Sequence, residues 1–345
     1  MIPESFEREL SRCLREHRAR YPLQQAQDEV KLVFQAMLGP GHLLAAPEIT
    51  ENRIRLETAD LEPDPEEPLT EPLGEDYCRL NLRRAMAEGL TCRMIAGMMA
   101  ECAPPRFTRK DAAAVCGHLG IGKEEELKRL TDESFLPSHS QAYRAAYRPA
   151  YRVLPMDWVP VMDAVLAIAA ALRGGERVLV TLDGPCAGGK TTLAGRLARV
   201  FGAAVVHTDD FVIPHAQKTP ERLAVPGGNC DAERLVAEVA APWKRGGAVL
   251  YRKYDCAADC LLPAQEMPEC GALILEGCYC NLPRLSALAD VRLFLATPWP
   301  VREARLRSRE SAQSLERFYR LWIPLEDAYF EAYGLPDEGC ILLRG

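Results

Sequence analysis

Gly184-Pro185-Cys186-Ala187-Gly188-Gly189-Lys190-Thr191 has the spacing G-x-x-x-x-G-K-T. Glycines in such a run let backbone N–H groups converge on phosphate oxygens with no Cβ in the way. A helix opening just behind the loop adds partial positive charge from its N-terminus. Lys190 is suited to lie between the β- and γ-phosphates, and Thr191 to offer its hydroxyl to Mg²⁺. The expected nucleotide contacts are Gly184, Pro185, Cys186, Ala187, Gly188, Gly189, Lys190, Thr191 and Thr192. The implied chemistry is transfer of a phosphoryl group from ATP or GTP. Asp209, in His207-Thr208-Asp209-Asp210-Phe211, could accept the proton of an attacking hydroxyl or orient that hydroxyl through Mg²⁺, with Asp210 in a structural or supporting place beside it. Glu276 ends the apolar run Ala272-Leu273-Ile274-Leu275, a Walker-B-like place for an acid that holds Mg²⁺. Arg302, Arg305 and Arg309 fall on neighbouring positions of one helix face, able to close over phosphates and neutralise transition-state charge.

These residues need a sheet to bring them together. Arg177–Leu182 predicts a buried strand ahead of the loop, and Thr192–Val200 the helix behind it. Further strands are expected at Ala203–Thr208, Ala272–Leu275, Val291–Ala296 and Cys340–Leu343, with helices at about 157–172 and 314–333. Strands alternating with helices predict an α/β domain with a parallel sheet. Acids at strand C-terminal ends then face the ligand crevice.

The chain before this differs in character. Phe6–Arg18 and Gln25–Leu38 have helical patterns, the second with Val30, Val33, Phe34 and Met37 on one side. Gly39-Pro40-Gly41 breaks that helix and puts His42 just beyond it, where a structural or capping role is expected. Residues 59–76 hold an acidic, proline-rich piece that predicts an exposed loop. Helical patterns resume at about 77–100, 108–118 and Lys123–Thr131. His139 and Ser140 occupy a polar loop, and Tyr143, Tyr147 and Tyr151 recur every four residues, a spacing that suits core packing. The expected division is a mainly helical domain over 1–153 and a P-loop domain over 154–345.

The net charge of −7 over 345 residues argues against broad nucleic-acid binding. No apolar run reaches membrane-spanning length, and MIPESFEREL lacks the apolar core of a signal peptide, so a cytoplasmic protein is expected. Thirteen cysteines in a chain of this size, with C-x3-C and C-x-C spacings near 256–280, suit reduced thiols better than disulfides or paired zinc knuckles.

Taken in order, DGPCAGGKTTLA, HTDDF, NCDAERL, YRKYD, LILEGCY, LFLATPWPVREARLRSRE and WIPLEDAYF resemble the uridine kinase and phosphoribulokinase family over residues 177–345. The resemblance implies a five-stranded parallel sheet flanked by helices, ATP or GTP with Mg²⁺, and a small-molecule acceptor, a nucleoside such as uridine or cytidine above others. It makes Asp209 the general base, Glu276 the metal-side carboxylate, and Arg302, Arg305 and Arg309 lid arginines. Asp231 and Tyr254 fall where acceptor contacts are implied. Gly188 departs from the serine common in that family, and Val212 from its acceptor-contacting tyrosine. The D-G-P start is also similar to cytidylate kinases, whose acceptor is a nucleotide. Residues 1–153 are similar to helical domains of bacterial proteins with no activity attached, through QDEVKLVFQAMLGPGHLL, YCRLNL and PSHSQAYRAAYRPAYRV. The alternatives are a nucleoside-monophosphate or other metabolite kinase, and a nucleotide-gated switch whose helical part binds a protein or RNA. Self-association into a homo-oligomer is open to either.

Overall fold

The computed structural model describes residues 2–40 and 46–345, so Gly41 and His42 lie outside the described residues. The chain forms two compact units, Met1–Val159 and Pro160–Gly345. The expected boundary at 153/154 falls inside a strand, Tyr151–Pro155, that pairs with Tyr77–Asn81. That pairing draws the strand into the first unit.

The first unit is mainly helical. Helices α1 (Glu4–Arg20), α2 (Ala26–Leu38), α3 (Pro47–Thr58), α4 (Leu82–Ala87), α5 (Cys92–Ala100), α6 (Arg109–His118), α7 (Glu124–Leu130) and α8 (Gln141–Tyr147) surround a small antiparallel sheet. Its order is β1 (Thr70–Leu73), β2 (Tyr77–Asn81), β3 (Tyr151–Pro155). The helical expectation from residue 77 fails at β2. Tyr77 to Leu80 are buried in succession, and a short run buried on both faces carries no period to separate strand from helix. Phe6, Leu10, Val33, Phe34, Met37, Leu73 and Val115 build the core. The four-residue tyrosine spacing is likewise not one helix face. Arg148 turns left-handed after α8, and Tyr151 belongs to β3.

The second unit is an α/β fold with a five-stranded parallel sheet flanked by helices. Helix α9 (Met162–Gly174) leads into β4 (Val178–Asp183), which is followed by α10 (Lys190–Phe201) and β5 (Ala204–His207). The remaining strands are β6 (Ala272–Glu276), β7 (Val291–Ala296) and β8 (Ile341–Arg344). Their order is β8-β7-β4-β6-β5, with every pairing parallel. Strand β4 is central and buried along its whole length, which is why it is a continuous apolar run without alternation. Helices α11 (Trp299–Arg309) and α12 (Ile323–Tyr333) follow β7. Cys278 and Cys280 are buried like small apolar residues, whereas Cys256 and Cys260 are exposed.

Candidate functional site

The parallel register puts the C-terminal ends of β4, β5 and β6 side by side. Glu276 pairs with Leu182 on one side and His207 on the other. The phosphate-type loop, the Asp209 segment and Glu276 therefore emerge from one edge of the sheet, the edge where α/β folds place ligands.

The loop is held by its surroundings. Asp183, fully buried, accepts hydrogen bonds from the N–H of Gly184 (2.7 Å), the N–H of Asn281 (2.8 Å) and the hydroxyl of Tyr329 on α12 (2.7 Å). Burial pushes its carboxyl above the usual range, and these donors work against that rise. Gly184 has φ +141°, and a Cβ there would stand 2.4 Å from the carbonyl oxygen of Leu295. Gly184→Ala is therefore expected to lower stability by about 1–3 kcal/mol, the usual cost of a forced backbone conformation. Thermal unfolding of the two proteins checks this, and an unchanged Tm would show that the loop can give way. At Gly188, where the resembled family carries serine, a Cβ would stand 2.9 Å from the carbonyl oxygen of Pro185.

The loop carbonyls are taken up by cations and hydroxyls. Lys190 donates to the carbonyls of Gly184 (2.8 Å) and Pro185 (2.9 Å). Arg302 Nε donates to the carbonyl of Cys186 (2.8 Å), Arg305 to those of Ala187 (3.1 Å) and Gly188 (2.9 Å), and Thr297 Oγ1 also to Gly188 (2.8 Å). Helix α10 opens at Lys190, with Gly189 left-handed just before it at φ +100°. A helix N-terminus of this kind offers its first N–H groups to an anion.

The three arginines do different things. Arg302 is buried, 3.7 Å from buried Glu326, and that carboxylate also accepts from the N–H of Cys186 at 2.9 Å. Arg305 grips the loop. Arg309 is exposed and pairs with its neighbour Glu310 at 2.9 Å. Helical spacing placed them on adjacent positions, but in this structure two of the three brace the loop rather than standing as an open lid.

Thr191 Oγ1 donates to Glu276 Oε1 at 3.1 Å, and His207 Nδ1 hydrogen-bonds the same oxygen. A buried carboxylate beside a hydroxyl is a hard-oxygen pair that suits Mg²⁺. The bond to Glu276 raises the pKa of His207 above its ordinary value, against partial desolvation. A raised folded-state pKa means the pair's contribution is complete below the unfolded imidazole pKa. It is lost as pH rises through the folded one. Glu276→Gln is expected to move the imidazole titration, followed by NMR, to lower pH. An unmoved titration would remove this contact.

Asp209 is exposed on the short 3₁₀ turn after β5. Although the residue as a whole presents surface to solvent, crowding around its carboxyl raises it above the usual range; Lys190 and His207 oppose the rise, and Glu276 adds to it. Its neighbours in charge are thus the lysine and the acid of the site. Asp210 instead pairs with Lys253 at 3.0 Å.

Asp231 caps the turn Ala232–Leu235. It accepts from the N–H of Arg234 (3.1 Å) and from its Nε (3.2 Å). Tyr254 is buried, with its hydroxyl on Asp259; burial and that bond push it up to about 12. Both of these residues are therefore occupied by partners within the protein. Sequence reasoning missed Asp183, His207 and Glu326. The only trace of the first is an acid directly ahead of the loop's first glycine, and of the last an acid in WIPLEDAYF.

No family model and no curated protein matches the chain. Among solved structures it is similar to a possible uridine kinase from Bacillus stearothermophilus, at 18% identity and a TM-score of 0.42, over 55% of this chain and 100% of that one. It is similar to a candidate fructose transport system kinase from Silicibacter, at 27% identity and a TM-score of 0.38, over 47% of this chain and 93% of that one. A candidate P-loop kinase with a circular permutation from Saccharomyces cerevisiae shares 11% identity at a TM-score of 0.41, over 55% and 98%.

Proposed function

We propose that the second unit is a P-loop kinase that transfers the terminal phosphoryl group of ATP or GTP to a hydroxyl of a small molecule, a nucleoside above others. The observation that carries this reading is the placement of Asp209. An exposed carboxylate stands at the crevice edge, in electrostatic reach of Lys190 and Glu276, where a nucleotide-binding loop alone would need none. The nucleoside preference rests on the motif resemblance in the sequence.

In this reading the loop N–H groups and the start of α10 hold the phosphate chain. Lys190 leaves the carbonyls of Gly184 and Pro185 and turns its ammonium to the β- and γ-oxygens. Thr191 and Glu276 would hold Mg²⁺, which when bound offsets charge on the phosphates. Asp209 accepts the proton as the acceptor oxygen attacks phosphorus and the bond to the leaving nucleoside diphosphate breaks. Arg302 and Arg305 act through the loop, keeping its carbonyls turned to them.

The test is ATP consumption with Mg²⁺ over nucleosides, nucleoside monophosphates, pantothenate-like alcohols and sugar phosphates. Turnover with nucleosides is expected. Turnover only with monophosphates would make it a nucleotide kinase. Tight nucleotide binding with no acceptor phosphorylated would overturn the reading in favour of a nucleotide-gated switch.

The structure has no helix long and apolar enough to cross a membrane among the described residues.

A further inference from the structure

The first unit contains a cavity of about 500 Å³ that the phosphoryl-transfer chemistry does not use. Its wall includes Lys31 of α2, Arg144 of α8 and Arg148 just after it, with apolar surface from Leu61, Leu82 and Pro149. That volume is in the range of small-molecule sites.

Charge in and beneath the cavity is one-sided. Among the described residues, Lys31, Arg144 and Arg148 have no carboxylate in ion-pair contact. Buried Arg79 likewise spends its guanidinium on neutral groups, His17 (2.8 Å) and Gln35 (3.0 Å). The one acid on the cavity wall, Glu57, is held by Arg152 at 2.6 Å. The other near acid, Asp28, is buried and already accepts from Gln25 N–H, Ser140 N–H, the Ser140 hydroxyl and His139. His139, also on the wall, is buried and kept below its ordinary pKa by desolvation, then by Lys31 and Arg79. Desolvation, Arg79 and Arg144 together lower Lys31 to about 8, while Asp28 and Glu57 oppose that. Concentrated like charge is costly unless an anion joins it.

We infer that this cavity binds a small organic phosphate, its phosphate against Lys31, Arg144 and Arg148 and its apolar part against Leu61, Leu82 and Pro149. Several cations around one cavity match a dianion better than a carboxylate. The inference concerns the first unit and stands or falls apart from the kinase reading.

The test uses the full chain with no nucleotide added, since peptide mapping reads Lys31 apart from Lys190. Pyridoxal 5′-phosphate condenses with a lysine amine to an imine, releasing water, and borohydride then reduces the imine to a stable secondary amine that peptide mapping locates. Lys31 is expected to be tagged at least tenfold faster than exposed Lys110 and Lys128, and faster than by pyridoxal. Phenyl phosphate is expected to protect it at lower concentration than inorganic phosphate. Arg148→Asn, which tolerates the left-handed backbone at φ 43°, is expected to slow tagging severalfold with an unchanged Tm. Tagging of Lys31 no faster than of surface lysines, or unaffected by Arg148→Asn, would overturn the site. Equal protection by the two phosphates would overturn its assignment to an organic ester.

Discussion

Replacing Lys190 with alanine is expected to lower the rate of phosphoryl transfer by a factor on the order of 10³, the scale of losing one preorganised charge partner of the transition state. The side chain is buried and hydrogen-bonded to the loop it serves, so the ammonium has only a short distance to travel to a bound phosphate chain. Removing it leaves the carbonyls of Gly184 and Pro185 without that donor, so some loss of stability accompanies the loss of rate. Lys190→Arg separates the two effects. It keeps the charge, but its wider planar head does not suit a position between two phosphates. Rates of ATP consumption with the best acceptor, together with Tm, check both. Full activity in Lys190→Ala would remove the loop from the chemistry.

Asp209→Asn is expected to cost about 10²–10⁴ in kcat, the range for a general base. Nucleotide affinity is expected to stay within about twofold, because among the described residues no hydrogen bond ties the Asp209 side chain to the loop. The pH profile gives a second readout. Desolvation raises the Asp209 carboxyl, so the wild-type rate is expected to fall with acidification at a pH above the ordinary aspartate range. The base must be ionised to act, which fixes the sign: activity is present above the folded pKa and lost below it. In Asp209→Asn that acid limb should vanish. Retained turnover with the limb intact would assign the proton to another group.

The sequence was most informative where function depends on a contiguous run. Strand, loop and helix around Gly184–Thr191 follow from local chemistry alone, and the strand-end acids Asp209 and Glu276 follow from their place after apolar runs. What supports that run was not legible. Asp183 meets Asn281 and Tyr329, and Cys186 meets Arg302 and Glu326, through tertiary packing that no spacing encodes. The arginine helix shows the limit well. Periodicity put Arg302, Arg305 and Arg309 near one another, but only packing determines that the first is buried beneath the loop and the last is in solvent. Strand β2 was hidden for a different reason, since burial on both faces erases the alternation that marks a strand.

The anchoring of Asp183 bears on the order in which the protein is made. Its carboxylate receives Tyr329, 146 residues further along, and Cys186 receives Glu326, 140 residues further along. A ribosome that has released the glycine-rich loop must still add most of the second unit before those partners exist. At about 5–20 residues per second, that interval lasts on the order of ten seconds. Over that time the nascent loop lacks both of these supports, so it can be held in its final shape only late in synthesis.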